Sequence, residues 1–314
     1  MFWIRLRRAG KSIRVPCLSQ IVGIAIGLLV MFTPSPVLAN PIASDLAQSQ
    51  AAFQQGVNAL EQADYAEAIA QFTQTLQANP QFAAALSNRC LAYLQQGNYD
   101  DAVQDCTEAL LLDADNPEAY LNRGLAHDRL GQFEQAIADY NQLLQRRPND
   151  FRAYYNRGLA HFEQGDHREA IADYEHSLRQ PGLNQIALAE VYRDRGLAKL
   201  MLTDQAGAIA DFSKAIQFNN ADVAAYYNRA CAYHRQGDLQ LAIQDFTQVL
   251  AQVPDHAEAY RSRGLIRYQL GEKQQAIADL QQAAQHFSSQ GEAIAYQQTL
   301  NLIHQIEAVA FAVG

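Results

Sequence analysis

The side chains best suited to holding a ligand are asparagines that return at a fixed spacing. Asn88, Asn122 and Asn156 stand 34 residues apart, and Asn228 continues the row further along the chain. A side-chain amide donates and accepts at once, so a row of them can satisfy a peptide backbone whatever side chains that peptide carries. Each such bond contributes only about 1 kcal/mol net, so several must act together. An arginine follows each asparagine (Arg89, Arg123, Arg157, Arg229), and the arginine row also includes Arg195 and Arg263. Every one of these arginines has an aspartate 16 residues later: Asp105, Asp139, Asp173, Asp245, Asp211 and Asp279 respectively. A planar guanidinium fork fits a carboxylate, so pairs such as Arg123 with Asp139 and Arg157 with Asp173 are assigned to architecture and not to ligand binding. Tyr155, Tyr227, Arg152, Arg193 and Arg261 remain as contact candidates, because tyrosine and arginine combine large contact areas with polar ends. Glu118, Glu190 and Glu258 stand nearby and temper any preference for an acidic partner.

Other chemistry is not suggested by the sequence. It contains no glycine-rich phosphate loop, no paired-histidine zinc helix and no Gly-x-Ser-x-Gly elbow. No catalytic residue, metal or cofactor is expected. His127 and His161 recur at one place in adjacent periods, and two such residues are too few ligands for a metal; they are assigned to packing. Cys90 and Cys106 are 16 residues apart. Counting along the helices sets them one turn out of direct opposition, which leaves both a cross-link and two buried thiols open.

The elements that must position these residues follow from the period. Ala68, Ala102, Ala136, Ala170, Ala208, Ala242 and Ala276 are separated by 34, 34, 34, 38, 34 and 34 residues. This is the period of the tetratricopeptide repeat, which the chain resembles over residues 49–290. The units are 49–82, 83–116, 117–150, 151–188, 189–222, 223–256 and 257–290. Their eighth position is small (Gly56, Cys90, Gly124, Gly158, Gly196, Ala230, Gly264) and the twentieth is always alanine, which lets two helices approach closely. Tyr120, Tyr154, Tyr192, Tyr226 and Tyr260 share the fourth position, and aromatic rings dominate the twenty-fourth. Gly97, Gly131, Gly165, Gly237 and Gly271 mark turns within hairpins, while Pro80, Pro148 and Pro254 end second helices. Four extra residues around Gln185–Leu188 either lengthen the next first helix or enlarge the loop.

The resemblance implies an all-α solenoid, a right-handed superhelix with first helices on its concave face. Residues 291–314 have helical apolar spacing but lack a hairpin's small residue, as expected of a capping helix. The asparagine row resembles the ladder of the tetratricopeptide superhelix in O-linked N-acetylglucosamine transferases, where amides hold an extended peptide. Asp194, Ser262 and Gln54 interrupt it here. The carboxylate clamp of chaperone-binding relatives is not matched, since asparagine never fills the ninth position and lysine never fills the fifth.

Five basic residues (Arg5, Arg7, Arg8, Lys11, Arg14) precede an apolar stretch from Ile21 to Phe32 and a Val37-x-Ala39 ending. Twelve apolar residues suit a signal-peptide core, whereas a bilayer-spanning helix needs about 20. Residues 1–39 are therefore expected to be an export signal cleaved before Asn40, followed by a lead-in over 40–48; retention as a membrane anchor is the alternative. Beyond residue 39 the chain has 19 basic against 33 acidic residues, which disfavours a nucleic-acid partner. The expected protein is a periplasmic or secreted scaffold, or lumenal in the thylakoid of a photosynthetic bacterium. It would bind an extended peptide or partner protein in its groove and aid complex assembly. The alternative is a solenoid that self-associates through its end repeats or cap.

Overall fold

The computed structural model describes the backbone of residues 41–312 and the side chains of residues 47–308. The expected export signal lies outside the described residues. Seven helical hairpins follow one another. They are α1 (Pro41–Glu61) with α2 (Tyr65–Ala78), α3 (Ala83–Gln96) with α4 (Tyr99–Leu112), α5 (Pro117–Arg129) with α6 (Phe133–Arg146), and α7 (Phe151–Gln164) with α8 (His167–Arg179). The remaining three are α9 (Gln185–Met201) with α10 (Gln205–Phe218), α11 (Val223–Gln236) with α12 (Leu239–Gln252), and α13 (Ala257–Gln269) with α14 (Lys273–Ser289). A last helix, α15 (Ala293–Ala312), lies against α14.

Short polar residues start these helices and left-handed residues end many of them. The side chains of Asn116, Asp150, Asn184 and Asp222 accept backbone N–H groups at the starts of α5, α7, α9 and α11. Gly97, Gly165 and Gly237 close α3, α7 and α11 with φ near +90° (91°, 89° and 93°). The same turn is made by Ala63 (φ 59°) and Thr203 (φ 63°), where a Cβ makes that backbone costly.

One boundary differs from the sequence expectation, and one open alternative is decided. Residues 41–48 are helical and belong to α1, so the lead-in is part of the first hairpin. The four-residue insertion lengthens α9 to 17 residues, against 14 in α7, and the loop before it stays short. The second helix of the last unit, α14, also has 17 residues, a lengthening that the repeat pattern does not show.

Within each hairpin the small eighth residue meets the twenty-fourth. A Cβ placed on Gly124 would lie 2.6 Å from Tyr140 Cε1, and one on Gly158 would lie 2.8 Å from Tyr174 Cε1. These rings are fully buried, together with Phe72, Phe212 and Phe246. In the second unit the two positions are Cys90 and Cys106, and they form a disulfide with Cα atoms 5.4 Å apart. Helix crossing sets these two residues face to face, which counting along each helix alone does not reveal.

First helices of successive hairpins touch one another from α1 through α11, while second helices lean on the next first helix. The stack therefore curves with its first helices inside. One continuous apolar core joins the first three units and reaches Ala153; smaller separate clusters serve the later units.

Candidate functional site

The first helices lie inside the curve of the stack, and their sixth and ninth positions carry the asparagines and leucines. Asn122 and Asn228 are buried to 7% and 6% residual exposure, and Asn88 and Asn156 are half-buried. Among the described residues, none of these four side-chain amides makes a hydrogen bond within the chain, and none has its polar atoms sealed from the surface. A helix side chain that is nearly covered yet keeps its amide edge open presents that edge to the groove. Half-buried Leu91, Leu125, Leu159 and Leu197 run alongside at the ninth position. Leu125, Leu159 and Leu197 pack against the core and stay partly exposed, so these leucines serve both core and surface.

The charged candidates are placed differently, since each already has a partner. The Arg152 guanidinium grips Glu118 through Nη1 and Nη2 (3.0 and 2.9 Å) and Asp150 through Nε and Nη2 (3.0 and 2.7 Å). Arg147 adds a third contact, with Nη1 donating to Glu118 at 2.9 Å. Arg193 Nη1 donates to Asp222 at 2.8 Å, with its Nε 3.5 Å from Asp194. The Tyr155 hydroxyl donates to Asp194 Oδ2 at 2.7 Å, so the aspartate that interrupts the asparagine row is tied across to the preceding unit. Arg261 pairs with Glu258 at 2.8 Å and lies over the Phe287 ring. Tyr227 stacks on His256 with ring centroids 5.1 Å apart. Burial raises the Glu190 carboxyl above its ordinary range; Arg193 opposes that rise, and Asp194 and Asp222 add to it.

The arginine row forms a separate spine between the helix layers. Arg123 Nε and Nη2 donate to Asp139 at 2.9 and 2.7 Å, and Arg157 makes the same fork on Asp173 at 2.8 and 2.6 Å. The third nitrogen reaches the preceding hairpin: Arg89 to Thr73, Arg123 to Thr107, Arg157 to Asn141, Arg229 to Ser213 and Arg263 to Thr247. Each of these five arginines thus closes its own hairpin and staples it to the one before, while Arg195 Nη1 stands 3.8 Å from Glu175 of the preceding hairpin. The first unit has Gln55 and Gln71 at these places, and no earlier hairpin is described for an arginine there to reach. Tyrosines of the fourth position lie under the guanidinium groups, with Arg195 over Tyr192 at 5.3 Å and Arg157 over Tyr154 at 5.6 Å.

The eleventh position completes the spine. Lys199 and Arg267 lie 2.8 Å from Asp211 and Asp279, and the His127 and His161 rings stand 3.9 Å from Asp139 and Asp173. The histidines therefore edge the ion pairs. Among the described residues no group of three or more His, Cys, Asp or Glu is arranged to hold a metal ion, and no helix is long and apolar enough to cross a membrane.

The sequence reading missed Asp128. It occupies the twelfth position, where Leu60, Leu94 and Leu200 stand in other units. Its Oδ2 accepts the Tyr140 hydroxyl at 2.5 Å, while its Oδ1 is buried without a partner. Burial raises the carboxyl to about 7, the Tyr140 hydrogen bond and Arg129 pull it down, and Glu163 pushes it up. A carboxylate at a position that holds leucine or a ring in every other unit was the available signal.

Comparison with known proteins places this geometry. A profile described as tetratricopeptide repeat matches residues 121–182 and 227–292, and a second described as TPR repeat matches residues 91–131 and 204–237. Residues 183–203, which contain the lengthened α9, fall between the matched segments. No curated protein matches the chain. Among solved structures, a tetratricopeptide repeat protein from Parabacteroides merdae ATCC 43184 is 22% identical, with 81% of this chain and 99% of that one covered and a TM-score of 0.58. Pseudomonas aeruginosa PilF is 18% identical, with 70% and 96% covered and a TM-score of 0.59. YrrB, described as a TPR protein with an unusual peptide-binding site, is 21% identical, with 62% and 97% covered and a TM-score of 0.53. Identities this low establish likeness of fold. Hairpins on a 34-residue period, the small residue against the ring, and the profile matches agree: this chain belongs to the tetratricopeptide repeat family.

Proposed function

We propose that the protein is a non-catalytic scaffold of the cell envelope that binds an extended segment of a partner protein along its concave face and so aids assembly of a complex. The observation that carries this reading is the set of unpartnered amides at Asn88, Asn122, Asn156 and Asn228. Amides that are held on a helix face with an edge open and make no bond within the chain are free to exchange water for a peptide backbone, which supplies both donor and acceptor. The peptide-binding site named for YrrB adds support by analogy of fold. Export is supported by the basic and apolar residues at the amino terminus and by the Cys90–Cys106 disulfide, since such bonds persist in oxidising compartments. The test immobilises the protein, captures proteins from an envelope extract and repeats the capture with an Asn122→Ala, Asn156→Ala variant of unchanged helicity. Partners retained by the parent and lost from the variant support the reading; partners retained equally by both place binding elsewhere and overturn it.

A second reading, self-association through the carboxyl-terminal end, is favoured by an open hollow of about 420 Å³ between α14 and α15. Ala284, Tyr296, Leu300 and Ile303 line it, and the nearby Ile294 is 75% exposed. Light scattering over a concentration series tests it, because a constant monomer mass removes this reading.

A further inference from the structure

The concave face is not uniform along its length. Across units two to four, Asn88, Asn122 and Asn156 present unpartnered amides beside the half-buried Leu91, Leu125 and Leu159. The charges bordering this stretch are of both signs: Glu118 and Arg152 neutralise each other at 2.9 and 3.0 Å, and Arg129 and Glu163 stand exposed near the ends of α5 and α7. At the junction of units four and five the character changes. Tyr155 is tied to Asp194, and Asp194 and Asp222 both face Arg193, so one network runs from the fourth unit to the end of the fifth, where Asp222 caps α11. Its polar groups are committed to one another where the asparagine row is interrupted.

We infer that this network divides the groove, and that units two to four take a short extended segment of uncharged, mainly aliphatic residues, held by its backbone on the three asparagines and by its side chains on the leucine row. This rests on the peptide-binding reading given above and names the chemistry of the peptide. A charged side chain laid on this stretch would lose water and meet charges of both signs with no net counter-charge, because Glu118 offsets Arg152 and Glu163 offsets Arg129. Aliphatic side chains would cover the leucine flanks. The length follows from geometry. Packed helices stand about 8–10 Å apart and an extended chain rises about 3.3 Å per residue, so each unit passes about three residues and the stretch from Asn88 to Asn156 spans about six.

The probes are four fluorescent decapeptides with blocked ends, measured by anisotropy against the full chain at physiological ionic strength. The first has leucine, alanine and serine in rotation; the second is the same peptide N-methylated at alternate residues. The third and fourth carry three aspartates or three lysines in place of the serines. The expected result is that the first binds and that each of the other three binds at least tenfold more weakly. Asn88→Ala, Asn122→Ala and Asn156→Ala should each weaken the first several-fold, while Arg168→Ala, exposed on the second helix α8, should leave it unchanged. Equal or tighter binding of a charged peptide, still lost on the asparagine substitutions, overturns the inference and leaves the peptide groove standing. Binding of the N-methylated peptide as tightly as the first overturns backbone recognition. If no peptide responds to the asparagine substitutions, both readings fall together. Melting curves of each variant separate lost binding from lost fold.

Discussion

Asp128 shows how one residue can set a pH response in an otherwise repetitive core. Its carboxyl is held at about 7, chiefly by burial. An unfolded chain returns an aspartate to about 3.9. The folded state therefore binds the proton more tightly, so the stability due to this group is fully present below about pH 4 and is lost as pH rises toward 7. Asp128→Asn keeps an acceptor for Tyr140 and removes the ionisation. It should raise the melting temperature at pH 8 and change it little at pH 4; parallel melting curves for parent and variant across that range would refute the assignment. The asparagines make the opposite case. Asn122 forms no hydrogen bond among the described residues, so Asn122→Ala should leave stability within about 0.5 kcal/mol by denaturant titration. A larger loss would mean that the amide serves the fold.

At the scale of the helix and its turn, two departures from the consensus carry predictions. Thr203 adopts a left-handed backbone, with φ 63°, where five other units have glycine. A β-branched residue is strained there, so Thr203→Gly should stabilise the fifth hairpin by about 1 kcal/mol, seen as a higher midpoint in chemical denaturation. The second unit has no ring at its twenty-fourth position; Cys90 and Cys106 close the hairpin covalently instead. The closed loop of about 16 residues predicts a loss of about 3 kcal/mol on reduction. Melting with and without reductant, compared with a Cys90→Ser, Cys106→Ser variant, measures it. The variant should respond to reductant far less than the parent does.

Over the whole molecule, stability should be uneven. In a solenoid each hairpin rests on its neighbours, so cooperativity follows the continuity of the core. One apolar cluster runs through units one to three, where the disulfide also lies, whereas the later units are served by separate, smaller clusters. Hydrogen exchange should therefore show the slowest amides in α3 to α6 and faster opening around α8 to α10, where the lengthened α9 interrupts the regular stacking. Uniform protection along the stack would show that the arginine spine, which crosses nearly every hairpin boundary, couples the units more strongly than the apolar core divides them.

The period, the helix pairs, the small residues at the crossing and the co-occurrence of Arg with Asp were all legible in the residues themselves, because each depends on spacing along one or two helices. The separation of 16 between Arg123 and Asp139 recurs in five other units, and that regularity is enough to name the pair. Features that depend on how two helices cross, or on what the next hairpin brings, were not legible. Counting along each helix set Cys90 and Cys106 one turn apart, whereas the crossing brings them together. Arg152, Arg193 and Arg261 look available in the sequence, and folding gives each a carboxylate, in two cases contributed at least partly by another hairpin. The asparagines look the same in every unit that has them, and only the assembled groove leaves their amides without a mate. A period fixes which helix faces recur, while the partner of a polar atom is decided by the neighbouring surface that stacking brings against it.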